Sequence, residues 1–428
     1  MTTTEMFTDF LTNLAIDNSA SITSKYEQIT SVLNKKFRDT ESKTANSLQV
    51  GSYGRWTGIK GISDLDMLYI MPSSKWNDYK NGKQSKLLDD TKDAIQARYP
   101  KTTVKKDRLV VQVIYNEFMV EVQPVFEQDD GSFKYPDTYN GGCWKITKPR
   151  EEIKAMKEFV DQKNKNLRKL CKMTRAWKNK CGVGMGGLLV DTLAYNFLKS
   201  NSDYDNRSTA YYDWLCRDFF KYLSEEPNKD YYLALGSNQR VNVKSKFQRK
   251  AKEAYENSLT AIAAGETSSA NKKWKKIFGR PFPVSAVQES KSSAYSFRNT
   301  EQFIEDLYTV DIRFNVRLEC EVSQNGFREA LLRNMLARKL KLQSKKKLNF
   351  FIADIDVPGE FIIKWKVLNR GAVAEQRDCI RGDIVIDKGF RKKDEKTDFN
   401  GEHIVECFVI QNDVVVARDR IDVPIQWG

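Results

Sequence analysis

The sequence has very few of the residues on which several enzyme classes depend. Among its 428 residues there is one histidine, His403. Zinc sites built from three histidines, or from two histidines and a glutamate, are therefore excluded. His403 is also the only histidine that a Ser-His or Cys-His catalytic pair could use. Any catalysis must rely on carboxylates, on bases such as lysine, or on a metal ion held by oxygen atoms.

Cysteine pairs and long apolar runs are missing as well. The seven cysteines are odd in number and scattered, and no two of them form a CxxC pair. This pattern indicates reduced thiols, and we expect a cytoplasmic protein. The first 20 residues lack a basic region followed by an apolar one, so we expect no secretory signal there. No run of 18 apolar residues occurs, so we expect no membrane span and no membrane partner.

Charged and apolar residues are plentiful instead. Lys and Arg number 71 against 57 Asp and Glu, which gives a formal net charge of +14. Such a charge is compatible with nucleic acid, nucleotide phosphates or an acidic partner, although solubility alone is the simplest explanation. With 40% hydrophobic and 11% aromatic residues, the chain is globular, and its length suggests two or three domains.

The spacing of apolar residues changes twice along the chain. From Ser21 to Phe37 it predicts a long amphipathic helix, and alternating runs then predict a strand at 64–69 and a hairpin at 109–122. Between Lys148 and Pro283 the helical period returns. The predicted helical stretches there are 151–180, 188–199, 209–223 and 245–264.

The last third of the chain has a different pattern. A serine-rich stretch at 284–296 is typical of a linker, and one helix is predicted at about 326–342. The β-branched, alternating runs that follow predict strands at 348–353, 361–368, 380–386, 403–410 and 413–425. The whole pattern indicates an α+β protein with a mostly β C-terminal domain.

Two aspartates carry the clearest chemical signal. Asp64 and Asp66 are two residues apart on a predicted strand, so both carboxylates project from the same face. Like charges this close repel unless something positive lies between them. Two hard carboxylates with open positions for phosphate oxygens suit Mg²⁺, and a third carboxylate on a neighbouring strand would complete a two-metal site.

A Gly-Ser pair precedes the two aspartates by about a dozen residues. Gly51 allows a close backbone approach, and the hydroxyl of Ser52 with nearby N–H groups can hold the β and γ phosphates of a nucleotide. Gly-Ser, a short helix and then Asp-x-Asp on a strand form a much more specific pattern than either motif alone.

These motifs resemble a known superfamily. The stretches GSYGRWT at 51–57, SDLD at 63–66 and VEVQP at 120–124 are similar to the nucleotidyltransferase core of the DNA polymerase β superfamily. LRKLCKMTRAWKNK at 167–180 and WKKIFGRPFP at 274–283 narrow the resemblance to the SMODS or CD-NTase branch, which is related to cyclic GMP-AMP synthase and oligoadenylate synthase. The resemblance implies a nucleotidyltransferase core at 1–145 and a helical lobe of the same catalytic unit at 146–285.

The resemblance also implies roles for individual residues. The third metal-binding carboxylate of the family is an aspartate, and its place falls on Glu121, with a longer side chain. Asp64, Asp66 and Glu121 would be catalytic and would bind two Mg²⁺ ions, for which Mn²⁺ can substitute. Gly51 and Ser52 would bind the donor triphosphate, together with a cation from the helix before residue 182, for which Arg175 and Lys178 are the candidates.

The C-terminal third is similar to a second module, the AGS-C sensor domain. The resemblance is carried by KWKVLNRGAVAEQ at 364–376, IRGDI at 380–384 and the segment from Glu395 to Cys407, and it covers about residues 295–428. The resemblance implies that this domain binds a ligand, but it does not indicate which one. His403, with its neighbours Asn400 and Glu402, could form a small-ligand site. An equally good interpretation is that His403 stabilises a β-turn by hydrogen bonds.

Three functions fit these observations. The first is an enzyme that converts nucleoside triphosphates, ATP among them, to a cyclic di- or oligonucleotide that activates an effector in bacterial antiphage signalling. The second is an RNA-tailing nucleotidyltransferase, whose acceptor could use the basic helix at 244–252. The third is a catalytically silent nucleotide or nucleic-acid sensor. It is favoured by Glu121, which stands in the place of the family's aspartate, and by the net charge of +14. Nucleic acid as a partner is possible but not favoured.

Overall fold

The computed structural model describes residues 1–61, 63–163, 165–284, 301–324, 329–340, 342–370, 372–377, 379–398 and 400–425. The chain divides into two compact units. The first unit comprises residues 2–176 and 187–243. The second unit comprises Met1, residues 177–186 and the chain from Lys244 onward. The predicted domain boundaries stay a prediction, and this division groups residues 244–284 with the C-terminal region.

A mixed sheet forms the centre of the first unit. Its strands are β1 (Ser47–Gln49), β2 (Asp64–Ile70), β3 (Thr103–Lys106), β4 (Val111–Ile114), β5 (Met119–Glu127), β6 (Phe133–Asp137) and β7 (Cys143–Thr147). The order is β1-β2-β5-β4-β3, while β6 pairs with β5 and β7 pairs with β6. β2 and β5 are parallel, and the other pairs are antiparallel.

Helices cover this sheet and build the rest of the first unit. They are α1 (Thr3–Asn13), α2 (Ser19–Arg38), α3 (Gly51–Gly54), α4 (Trp76–Tyr79), α5 (Gln84–Arg98), α6 (Pro149–Gln162), α7 (Asn166–Cys181), α8 (Gly187–Ser200) and α9 (Tyr212–Glu225). The last five residues of α7 belong to the second unit. From the apolar stripe of α2, Ile22, Ile29 and Leu33 are fully buried in one core with the sheet, and Tyr26 and Phe37 are partly buried against it, as the helical period predicts.

The predicted helical stretch 151–180 is wrong as a single element. The chain leaves α6 after Gln162, and Lys165 adopts a left-handed conformation with φ +60° before α7 begins. Asn166, which is fully buried, donates hydrogen bonds to the carbonyls of Tyr204 and Arg207. These long-range bonds fix the break, which helical periodicity alone does not reveal. A short hairpin, β8 (Tyr231–Leu233) and β9 (Arg240–Asn242), lies between the predicted helices 209–223 and 245–264.

The second unit combines two long helices with a β region. The helices are α10 (Gln248–Ala263) and α11 (Ser268–Phe278), and the shorter ones are α12 (Ile304–Leu307), α13 (Leu332–Ala337) and α14 (Ala372–Gln376). The strands are β10 (Thr309–Val310), β11 (Val316–Ser323), β12 (Ala330–Leu331), β13 (Lys347–Ile355), β14 (Ile362–Leu368), β15 (Arg381–Ile386), β16 (Lys392–Lys396), β17 (Gly401–Gln411) and β18 (Val414–Ile425).

These strands form two sheets around one core. The five-stranded sheet has the order β10-β18-β17-β14-β15, and the four-stranded sheet has the order β12-β11-β13-β16. Leu318 and Phe350 from the smaller sheet and Trp365 and Val409 from the larger one are buried in the same apolar cluster. The α+β class and the strand-rich C-terminal region are therefore confirmed.

The helix and the linker predicted for the C-terminal third can be compared with the structure only in part. The helix predicted at about 326–342 is wrong in extent, because among the described residues of that range only Leu332–Ala337 are α-helical and Lys339 takes a φ of +55°. The predicted linker 284–296 lies outside the described residues beyond position 284. No helix in the described ranges is long and apolar enough to cross a membrane.

Candidate active site

Three carboxylates converge on one face of the first unit's sheet. Asp64 and Asp66 alternate with buried Leu65 on β2, and the parallel register places Asp66 opposite Glu121 on β5. Ligand atoms of Asp64, Asp66 and Glu121 all lie within 4.8 Å of one another, and the three residues are partly buried. The structure thus brings the three predicted metal-binding residues together.

Neighbouring polar side chains orient two of these carboxylates. Ser63 Oγ donates a hydrogen bond of 2.9 Å to Asp64 Oδ1. Gln112, which is buried and opposite Glu121 in the antiparallel pairing of β4 and β5, donates from Nε2 to Glu121 Oε1 at 3.1 Å. The Gln112 contact was not predicted, because it depends on a strand register that motif matching does not supply.

Gly51 packs directly against the carboxylate of Asp66. Its φ is +62°, and a Cβ built on it would lie 1.7 Å from Asp66 Oδ2. The backbone reinforces this approach, because the Val50 N–H donates to the Asp66 carbonyl at 2.9 Å. Only glycine satisfies both the left-handed backbone and the missing space. Ser52 follows in α3, so the predicted Gly-Ser pair lies beside the three carboxylates.

A buried ion-pair network anchors the chain around α3. Arg55 Nε donates to Asp191 Oδ2 at 2.9 Å, and Arg175 Nη1 donates to Asp191 Oδ1 at 2.6 Å. Thr57 Oγ1 also donates to Asp191 Oδ2, at 3.0 Å, and Arg55 pairs with Glu152 at 3.3 Å. Asp191 is completely buried on α8 and therefore links α3, α7 and α8 of the first unit.

The charges in this network shift two pKa values in opposite directions. Burial alone would raise the pKa of Asp191, but the guanidinium groups of Arg175 and Arg55 lower it from 3.8 to about 2. Burial raises the pKa of Glu152, and the attraction of Arg55 offsets that effect only in part. Asp191 is thus the ionised centre of the network.

The contacts of Arg175 and Lys178 do not support the predicted triphosphate role. Arg175 is engaged by Asp191 and also donates to the Gly187 carbonyl at 3.1 Å. Lys178 belongs to the second unit, where its ammonium donates to Asp311 and to the Ile312 carbonyl, both at 2.7 Å. Both side chains are buried and have structural partners, so their contact with a nucleotide stays a prediction.

The donor set formed by Asp64, Asp66 and Glu121 fits a hard divalent cation. It offers carboxylate oxygens alone, without the thiolates and imidazoles that Zn²⁺ prefers. Three carboxylates within 4.8 Å repel one another strongly, and a bound cation would relieve this repulsion. Because the residues are only partly buried, open coordination positions for substrate oxygens are compatible with the site.

Two family models match separate parts of the chain. Residues 1–159 match the family model of the Second Messenger Oligonucleotide or Dinucleotide Synthetase domain, SMODS. Residues 298–426 match that of the Adenylyl/Guanylyl and SMODS C-terminal sensor domain, AGS_C. No curated protein matches the chain.

Solved structures are similar to part of the chain. CdnC of E. coli MS115-1, solved with ATP, superposes with a TM-score of 0.50 at 14% identity, covering 65% of this chain and 98% of CdnC. CdnC in a complex with HORMA-deltaN gives the same values. The cyclic AMP-GMP synthase DncV of Vibrio cholerae, with a linear intermediate, gives a TM-score of 0.46 at 16% identity, covering 55% of this chain and 69% of DncV.

Proposed function

We propose that the chain is a SMODS-family nucleotidyltransferase with a C-terminal AGS_C sensor domain, as its motifs predicted, and that it converts nucleoside triphosphates to a cyclic di- or oligonucleotide. The observation that carries the proposal is the convergence of Asp64, Asp66 and Glu121 within 4.8 Å. Gly51, packed on Asp66, brings the backbone close to the same place.

Asp64, Asp66 and Glu121 would hold two Mg²⁺ ions, for which Mn²⁺ can substitute. When bound, such ions favour the deprotonated form of an attacking hydroxyl and neutralise the charge of a triphosphate. Glu121, which Gln112 orients, accepts the proton of a 2′ or 3′ hydroxyl. The hydroxyl oxygen bonds to the α phosphorus of a second nucleotide, the bond between the α phosphorus and the bridging oxygen breaks, and pyrophosphate leaves.

Gly51 and Ser52 supply the triphosphate contact in this proposal. Gly51 carries no side chain, so its backbone lies against the Asp66 carboxylate and brings the Gly-Ser pair next to the proposed metal site. The network of Arg55, Arg175 and Asp191 holds the residues that follow Ser52 in place. We assign Arg175 this positioning role.

The biological setting belongs to the same proposal. CdnC has been solved with ATP and with a HORMA partner, and DncV with a linear nucleotide intermediate. We propose that ATP is among the substrates of this chain and that its product activates an effector in bacterial antiphage signalling. The free thiols of all seven cysteines are compatible with a cytoplasmic enzyme.

A product assay tests the proposed reaction. Purified protein is incubated with Mg²⁺ or Mn²⁺ and all four labelled nucleoside triphosphates, and the products are treated with phosphatase before chromatography and mass analysis. We expect compact, phosphatase-resistant products that Asp64→Asn abolishes. Asp93→Asn, which changes an exposed carboxylate on α5, is the matched control and leaves the yield unchanged.

Three outcomes contradict the proposal. Equal behaviour of the wild type and Asp64→Asn rules out catalysis by this site. Long ladders on an RNA primer, without compact products, favour the tailing enzyme. Tight nucleotide binding without turnover under both metals favours the catalytically silent sensor.

A further inference from the structure

The second unit contains a concave cavity that takes no part in the site described above. Its volume is about 680 Å³, which lies within the range of small-molecule sites. The lining comes from the end of α7 and from α10, α11 and α12, together with β14, β17 and β18. We call this cavity the basic cleft. None of the proposed catalytic residues lines it.

Positive charge dominates the lining of the basic cleft. Ten of the lining residues are Lys or Arg, and five are Asp or Glu. A concave surface with an excess of one sign concentrates the field and raises the local concentration of ions of the opposite sign. The cleft therefore favours a ligand that brings several negative charges in a small volume.

Part of this charge is neutralised by ion pairs within the lining. Arg418 donates to Glu406 at 2.7 Å and to Glu305 at 3.2 Å, and Lys366 donates to Glu301 at 2.8 Å. Burial alone would raise the pKa of Glu406, but Arg418, Lys180 and Lys366 lower it to about 2. In this part of the lining, the positive charges of Arg418 and Lys366 are therefore largely neutralised by glutamates.

Other cations of the basic cleft are not compensated in this way. Within the described part of the chain, the side chains of Lys180, Lys272, Lys276 and Arg370 form no ion pair within 4.0 Å. Lys272 and Lys276 are exposed and one helical turn apart on α11, whereas Lys180 is partly buried with its stem along Gly279. Burial and the nearby Arg418 lower the pKa of Lys180. An anion bound here would remove an unfavourable interaction between cations.

We propose that the basic cleft binds a small polyphosphate ligand, such as a nucleoside triphosphate. A triphosphate carries up to about four negative charges on a short chain, and the remaining volume has room for a nucleoside. Lysine and arginine are the side chains that proteins use to bind phosphate oxygens. The concave shape and the volume of about 680 Å³ favour a small ligand over a nucleic-acid duplex. The AGS_C domain, which contributes the residues from Glu301 to Asp422 to this lining, thereby gains a ligand of defined chemistry.

Calorimetric titration of the full chain with ATP and with inorganic tripolyphosphate, in the presence of EDTA, tests this proposal. Chelation removes the divalent ions on which triphosphate binding at the three carboxylates depends, whereas binding to lysine and arginine persists. We expect the double variant Lys272→Glu, Lys276→Glu to weaken binding of both probes at least tenfold. The assay requires no turnover, so its result is independent of the proposed catalytic function.

The matched control is the double variant Lys252→Glu, Lys388→Glu. Both lysines are exposed residues of the second unit, lie outside the basic cleft and change the net charge by the same amount. We expect their affinities to stay within twofold of the wild type, and circular dichroism checks that both variants are folded.

Tighter binding of ATP than of tripolyphosphate would show that the cleft also contacts the nucleoside, and equal binding would assign recognition to the phosphates alone. The proposal is overturned if the wild type binds neither probe in EDTA, or if both double variants lose affinity equally. It is also overturned if only long RNA binds, with a steep dependence on salt.

Discussion

At the scale of single residues, Gly51 is the position with the least tolerance in the candidate site. A methyl group there would lie 1.7 Å from Asp66 Oδ2, and the φ of +62° adds backbone strain. We expect Gly51→Ala to displace the Asp66 carboxylate and to lower product formation at least 100-fold. The product assay with Mg²⁺ and Mn²⁺ measures this loss.

Gly82→Ala is the control that distinguishes the effect of the contact with Asp66 from the effect of backbone strain. Gly82 has a φ of +65°, but a Cβ there would meet no atom within 4 Å. Both variants should lose about 1–2 kcal/mol of unfolding free energy from the left-handed conformation, and only Gly51→Ala should lose activity. Equal activity of the two variants would contradict the role given to the contact with Asp66.

Glu121 is the residue at which this chain departs from the family pattern. Because Gln112 holds Glu121 Oε1 at 3.1 Å, the strands are arranged for the longer side chain. We expect Glu121→Gln to lower product formation about 10²-fold to 10⁴-fold, the usual contribution of a general base. Glu121→Asp should lower it about tenfold.

The two Glu121 variants also test the alternative of a weakened enzyme. If the glutamate is a degenerate position, restoring the family's aspartate raises the rate. An increase for Glu121→Asp in the same product assay would therefore contradict the arrangement proposed here, and Glu117→Asp, at a nearby exposed glutamate, serves as the control.

Sequence motifs predict the carboxylates that meet in the site better than they predict the residues that hydrogen-bond to the site. Asp64 and Asp66 could be placed on one face because side chains alternate along a strand. Gln112 could not, since its contact with Glu121 requires the register between β4 and β5. The partners of Arg175 are likewise set by the packing of α7 against α8, which the sequence does not specify.

At the scale of secondary-structure elements, the clearest sequence patterns correspond to the most regular elements. The stripe of α2 and the alternation of β2 satisfy a local period and a buried face at once. The break before α7 follows instead from the long-range hydrogen bonds of Asn166, so no local pattern predicts it. The same holds for α13, where Lys339 turns left-handed soon after the helix ends.

The connection between α3, α7 and α8 gives a prediction at this scale. Asp191→Asn would leave Arg55 and Arg175 buried without their counter-charge. We expect a loss of about 3–5 kcal/mol of unfolding free energy, the usual effect of removing one partner from a buried ion pair. Urea unfolding at neutral pH measures the change.

The control for this prediction is Glu158→Gln on α6. Glu158 is exposed and its ion pair with Lys154 spans 3.9 Å, so we expect a change below about 0.5 kcal/mol. A loss for Asp191→Asn as small as that of the control would show that the buried network contributes little to stability.

At the scale of the whole molecule, the +14 charge has an uneven distribution. The basic cleft holds ten of the cations, while the candidate active site presents three carboxylates. The composition gives the excess of positive charge but does not show where on the molecule the charge lies. Its position depends on β14, β17 and β18, whose pairing joins residues far apart in the sequence.

Two buried carboxylates with lowered pKa values, one in each unit, contribute to the change of stability with pH. The pKa of Asp191 falls from 3.8 to about 2, and that of Glu406 falls from 4.5 to about 2. A lowered pKa stabilises the folded state above the pKa of the unfolded chain, and this stabilisation is lost as the pH falls toward the folded value. The contributions are about 2 kcal/mol for Asp191 and about 3 to 4 kcal/mol for Glu406, and they should disappear between about pH 5 and pH 2.

Glu152 acts in the opposite direction. Its pKa is raised, so the folded state gains stability from this group as the pH falls through its folded value and toward 4.5. The pKa of Asp213 is raised as well, but those of Asp137 and Asp311 are lowered like those of Asp191 and Glu406, so we expect a net loss of stability on acidification. Urea unfolding at pH 6, 4 and 3 measures it, and Glu406→Gln should flatten the decrease. An unfolding free energy as large at pH 3 as at pH 6 would contradict the ionised state assigned to Asp191 and Glu406.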